Sequence, residues 1–153
     1  KRLAQSARWE NEVLPRLIAP YMSYVRQSSN LAEELSSEAE ECVCLNKGLE
    51  LEVVVVRFDK LERITLRTCA CQPAATQLMK CGLFGCAPLR PSLAVDLRVL
   101  DFVTCLFLRI SPNNTAVCNT IEDFLKCQGY HLCGQDPLRR RFANALQWYN
   151  RLQ

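Results

Sequence analysis

Histidine is almost missing from this chain: His131 is the only one in 153 residues. Most acid–base and Cys–His mechanisms therefore lack a part. A Gly-rich phosphate loop, a Ser/His/Asp set and a His-Glu-x-x-His pair are also absent. Asp59, Asp96, Asp101, Glu122 and Asp123 do not assemble into a two-metal carboxylate site on sequence grounds. These gaps argue against an enzyme. Long hydrophobic runs are missing too. The most apolar stretch, Leu93 to Ile110, is interrupted by Asp96, Arg98, Asp101 and Arg109, so no segment is expected to span a bilayer. Strong charge of one sign is absent. A formal charge of +3 and a pI near 8.4 permit contact with nucleic acid without arguing for it. The chain begins Lys-Arg, with no initiator Met and no secretory apolar region, and reads as a piece of a longer protein.

What is present is an ordinary globular composition, with 49% apolar and 23% charged residues. That suits one domain with a full core. Ten cysteines are many for this length. In a secreted protein they would form disulfides. In an intracellular one they would be metal ligands and buried thiols. The supply of Leu, Val, Ile and Phe and several helical patterns need no covalent staples, which favours the intracellular reading.

Four of the cysteines form two pairs with one intervening residue, Cys42-Val43-Cys44 and Cys69-Ala70-Cys71. Between them lie two β-rich stretches. Residues 49–57 alternate and then become continuously β-branched, which predicts a strand exposed at one end and buried at the other. Phe58-Asp59-Lys60 makes a turn, and residues 61–68 alternate again. Antiparallel pairing about that turn delivers both cysteine pairs to the open end of the hairpin. Four thiolates complete a tetrahedral zinc shell and leave no position for a reactive water, so the expected zinc is structural. Lys47 and Arg67 would offset its negative charge. Cys69, Cys71, Cys81 and Cys86 form an alternative shell. Cys118, Cys127, His131 and Cys133 are a weaker second cluster, since two of them fall within a helical pattern.

The rest reads as helices. Residues 7–27 carry an apolar face, with Pro15 and Pro20 predicting a kink or two shorter helices. Ser28-Ser29-Asn30 breaks the pattern, with room for one further turn at Leu31 to Leu35. Glu33, Glu34, Glu38, Glu40 and Glu41 form an acidic stretch without a core face, read as a solvated linker. Pro73 and Gly82 bracket a short helix. Gly85 to Pro91 reads as a loop. Ser92 is the expected N-cap of a long central helix from Leu93 to about Ile110. A helix over 115–128 ends at Gly129. Asp136-Pro137 opens the last one, with Leu138, Phe142, Ala145, Leu146, Tyr149 and Leu152 on one face. Asn113-Asn114-Thr115 matches a glycosylation sequon, and helix capping accounts for it equally well. Arg139, Arg140 and Arg141 form the densest basic run. They sit where a helix dipole disfavours cations, which suggests a nucleic-acid contact, against the simpler reading of a solvated face. Trp148 and Tyr149 are base-stacking candidates or core anchors.

Longer motifs carry a resemblance. Phe58-Asp-Lys-Leu-Glu62, Cys69-Ala-Cys71-Gln-Pro-Ala, Gly82-Leu-Phe-Gly-Cys86-Ala-Pro88, Pro91-Ser-Leu-Ala-Val-Asp-Leu97 and Leu138-Arg-Arg-Arg-Phe-Ala-Asn-Ala-Leu-Gln-Trp-Tyr149 resemble the CxC-type cysteine-cluster domains associated with KDZ (Kyakuja–Dileera–Zisupton) transposases. The resemblance covers most of residues 42–150. It implies a zinc-binding accessory region N-terminal to an RNase H-like catalytic core that lies outside this chain. It further implies a nuclear role directed at DNA or chromatin. Gly85 stands where Pro is expected, and Cys81, Cys105, Cys127 and Cys133 fall outside the pattern.

The expectation is an α+β domain, a zinc-clipped antiparallel hairpin packed on four to five helices. A single domain over 1–153 would comprise an N-terminal helical segment 1–35, the acidic linker 36–41, the hairpin 42–72 and a helical part 73–153. Its function would be non-catalytic, with structural Zn²⁺, DNA or chromatin and the remainder of the transposase as partners, and no membrane or small-molecule substrate. Two alternatives stand beside it: a protein–protein or intramolecular scaffold with purely structural zinc, and a secreted disulfide-bonded domain.

Overall fold

The computed structural model describes residues 2–35, 42–44, 48–133 and 138–153. The acidic linker at 36–41, Lys47 and the Asp136-Pro137 helix start lie outside the described residues. Helix α1 (Arg2–Arg8) passes through a wide π-turn (Trp9–Val13) into α2 (Leu14–Gln27). Pro15 and Pro20 each lack the N–H that a regular helix needs four residues back. The wide turn lies just before Pro15 and carries both Trp9 and Val13 to the interior. After Gln27 the chain reverses through Ser29, Asn30 and Leu31, all with positive φ. Buried Ser28 holds this turn: its Oγ donates to the Tyr24 carbonyl (2.7 Å) and accepts from the Leu31 N–H (3.1 Å). Residues 31–35 do not form a helical turn.

Strands β1 (Leu49–Val56) and β2 (Leu61–Thr68) form the expected hairpin, with Leu49 opposite Thr68 and Val56 opposite Leu61. Its closed end is in the core, where Val53, Val55 and Val56 are fully buried. Its open end is exposed. Helix α3 (Ala74–Lys80) follows and ends at Gly82, whose φ of +70° suits glycine. A Cβ there would also collide with the Tyr24 ring.

Two short strands come next, β3 (Leu83–Gly85) and β4 (Leu93–Asp96). They complete a four-stranded sheet of order β2-β1-β4-β3, in which β4 runs parallel to β1. The part of the chain over 73–153, read from the sequence as helices and loops, thus also supplies two strands. The start of the central helix moves accordingly: α4 spans Leu97–Phe107, and its N-cap is Asp96, not Ser92. Asp96 Oδ1 accepts from the Arg98 N–H at 2.8 Å. Ser92 instead offers its carbonyl to the Val54 N–H at 3.0 Å, extending the ladder. Helices α5 (Asn114–Cys127), N-capped by the Asn113 side chain, and α6 (Arg139–Leu152) complete the chain.

The architecture is the expected α+β, with the helices around a mixed sheet. One sheet face packs Val53, Val55 and Ala94 against Ala74 and Leu78 of α3. The larger core lies beyond the other face. Trp9 is sandwiched there between Phe84 (5.4 Å between ring centroids) and Trp148 (5.8 Å), and Tyr149 meets Phe84 edge-on. This core joins the first helical segment to α6, so both ends of the chain help bury it.

Candidate metal centre

The hairpin register fixes where the cysteines go. Leu49 and Thr68 are the last paired residues at the open end, and Cys69 follows Thr68 directly there. The Thr68 hydroxyl donates to the Leu49 carbonyl at 3.0 Å and ties the strands just before the cysteines. Gly48 permits the approach: a Cβ on it would overlap the Thr68 carbonyl. On the second strand the chain turns tightly. The Cys69 N–H donates to the Gln72 carbonyl (3.3 Å), and the Gln72 N–H donates to Cys69 Sγ (3.3 Å). Gln77 of α3 braces that turn, its Nε2 donating to the carbonyls of Arg67 and Gln72, both at 2.8 Å.

The result is a cluster of four thiols. The sulfurs of Cys42, Cys44, Cys69 and Cys71 all lie within 4.8 Å of one another. Zinc–sulfur bonds of about 2.3 Å in a tetrahedron put sulfurs about 3.8 Å apart. The observed spacing is close to that shell, and the donor set suits zinc. All ten cysteines are free thiols. Among the described residues no other group of His, Cys, Asp or Glu gathers in this way.

Proximity alters the thiols. Burial alone would raise Cys69, but hydrogen bonds from Cys44, the Gln72 N–H and other neighbours lower it to about 7. Its neighbours move the other way. Cys44 is raised to about 12, chiefly by its hydrogen bond with Cys42 and then by Cys69, and Cys71 is raised chiefly by Cys42. One thiolate forms readily, and each further one faces its charge. A cation removes that conflict.

The remaining candidates are dispersed. Cys81 is half-buried against the smaller core and Cys86 is buried in the larger one, and neither joins the sulfur cluster. Burial raises the Cys86 thiol to about 12, which makes it inert. Cys118 is buried, while Cys127, His131 and Cys133 are exposed. Arg67 is exposed and faces Glu50 at 3.9 Å. The arginine run splays around the start of α6. Arg139 and Arg140 are exposed, with Arg139 reaching the Thr115 hydroxyl (3.4 Å), and half-buried Arg141 donates to Ser92 Oγ at 3.3 Å. Trp148 and Tyr149 are core residues, 2% and 0% exposed, and offer no free ring face to a base.

Gly48 and Gln77 shape the cluster without contributing a ligand. A glycine directly before a strand was the only sequence sign of the first, and nothing in the local pattern distinguished the second. Among the described residues no helix is long and apolar enough to cross a membrane.

A family model described as a CxC1-like cysteine cluster associated with KDZ transposases matches residues 27–129. No curated protein and no solved structure matches the chain.

Proposed function

The chain belongs to the CxC1-like cysteine-cluster family associated with KDZ transposases, and we propose that Cys42, Cys44, Cys69 and Cys71 hold a structural Zn²⁺ in it. The observation that carries this reading is the mutual approach of four sulfurs within 4.8 Å at one exposed end of a hairpin. Bound there, zinc would supply a closed thiolate cross-link and no reactive water. The chain's own part is to bring two sequence-distant pairs together, and the hairpin, Gly48 and Gln77 do that. The residues form one folding unit over 1–153, and its role is non-catalytic: an accessory module that helps a KDZ-type transposase recognise DNA or chromatin in the nucleus. The family association and the modest positive charge support that role. The catalytic core would lie elsewhere in the transposase.

The experiment is metal analysis of the purified protein with a count of reactive thiols. One zinc per chain is expected, lost in Cys69→Ser together with the spectrum of a cobalt-substituted four-thiolate site. Protein without metal, with all ten thiols freely titratable, overturns the reading. A scaffold role for the same zinc is separated by DNA affinity against salt. A scaffold shows no affinity at low salt, whereas a DNA-binding module shows affinity that falls steeply as salt rises.

A further inference from the structure

Two cavities lie beside Ser92 and Leu93, one of about 910 Å³ along α6 and one of about 550 Å³ between β2 and the segment after α5. They share Ser92, Leu93 and Arg141 in their walls, which makes them adjacent lobes of one indented surface. Arg140 lines the larger lobe, and Arg63 and His131 line the smaller. No Asp or Glu is among the described residues lining either lobe. The basic groups come from three separate parts of the chain, so the groove's charge is a product of the fold and not of the arginine run alone.

Each lobe also has a half-buried aromatic side chain, Phe107 in the larger and Tyr130 in the smaller. Amide and hydroxyl groups of Thr104, Asn144, Gln147 and Asn150 line the larger lobe between them. Either lobe alone is of a size that takes one small ligand, and the two together exceed it. Arginines along the walls with a partly exposed aromatic ring in each lobe match a chain of phosphates carrying planar bases. A rigid duplex is too broad to enter cavities of this size, whereas an unpaired strand can.

We propose that this groove binds single-stranded DNA, with Arg63 and Arg140 on its phosphates and Tyr130 and Phe107 against its bases. The proposal rests on the DNA-directed role above and makes it specific in place and in strand state. It does not depend on the zinc cluster beyond the fold that the cluster supports.

The test uses the full chain with its metal, a fluorescently labelled oligonucleotide and the matching duplex, with anisotropy followed from about 50 to 200 mM salt. The single strand is expected to bind more tightly than the duplex. Both Arg63 and Arg140 are exposed, so the double variant Arg63→Ala/Arg140→Ala should fold. It is expected to lose about tenfold or more in affinity and to flatten the salt slope by about 1.4, two phosphate contacts on a single strand. Tyr130→Ala should weaken single-strand binding only, and Arg16→Ala, on exposed α2 surface, should change nothing. Binding by the wild type with an unchanged double variant overturns the groove and leaves the DNA role standing. Tighter binding of the duplex overturns the single-strand assignment. Binding of neither at low salt overturns the DNA role, and the groove's occupant with it.

Discussion

A Cβ at position 48 has no room, because the Thr68 carbonyl occupies its place. Gly48→Ala must therefore push the two strands apart just where the cysteines meet. The expected outcome is a large loss of metal affinity, read by competition with a chromophoric chelator, with little change in the main unfolding transition. Gln77→Ala removes two hydrogen bonds that brace the Cys69–Gln72 turn. At about 0.5–1.5 kcal/mol each, metal binding should weaken by about 1–3 kcal/mol. Unchanged affinity in the same competition assay would show that the turn holds its shape without α3. The cysteines themselves were legible from spacing, because a paired motif on either side of a hairpin specifies its own meeting point. Gly48 and Gln77 were not, since a close backbone approach and a brace from another element leave no local pattern.

Among the elements, the hairpin was legible because its alternation and its turn specify one register. The segment Leu93–Ile110 was not. A buried strand and a buried helix are equally apolar, and β4 runs directly into α4 without a loop. Asp96 marks the junction, and it looks in sequence like a polar interruption of a helix. In the fold it is 3% exposed, caps α4 and accepts from the Arg57 guanidinium at 2.8 Å. Arg98 reaches the same carboxylate at 2.9 Å. Asp96→Ala deletes the cap and leaves Arg57 to Glu62 and Glu34, and Arg98 to Glu34, so a loss of about 1–3 kcal/mol is expected in urea unfolding. A loss under about 1 kcal/mol would place that charge outside the structural framework.

The same network gives the β1–β2 turn a pH dependence. The Lys60 ammonium and the Arg57 guanidinium hold the Glu62 carboxyl below its ordinary range, against the opposing effect of burial. A folded pKa below the unfolded one stabilises the protein above the unfolded carboxylate range. That contribution disappears as pH falls through the folded value. The melting temperature should therefore drop on acidification through the carboxylate range, and Glu62→Gln should show a shallower drop. Identical pH profiles for the two proteins would remove Glu62 from the account.

At the scale of the whole molecule, the ends of the chain matter as much as the family-matched middle. The larger core takes Trp9, Val13 and Leu17 from before residue 27 and Phe142, Ala145 and Tyr149 from after residue 129. A chain cut to 27–129 leaves Phe84 without its stacking partner Trp9 and without Tyr149. It is expected to lose cooperative unfolding, seen by calorimetry; a cooperative transition in that fragment would make the flanking helices accessory. The amphipathic stripe of α6 was legible in the sequence, but its target was not, because the partners come from several elements, from Trp9 in the first helical segment to Phe84 in β3.

The core does not depend on the cysteines, since its buried cluster holds only Cys86 and Cys118 of the ten. Metal removal should therefore loosen the open end of the hairpin and spare Val53–Val56 in hydrogen exchange. The most direct measurement is X-ray absorption at the zinc edge of the metal-loaded protein. Four sulfur scatterers at about 2.3 Å are predicted. A shell containing nitrogen or oxygen at about 2.0 Å, or no bound zinc, would contradict the four-thiolate centre.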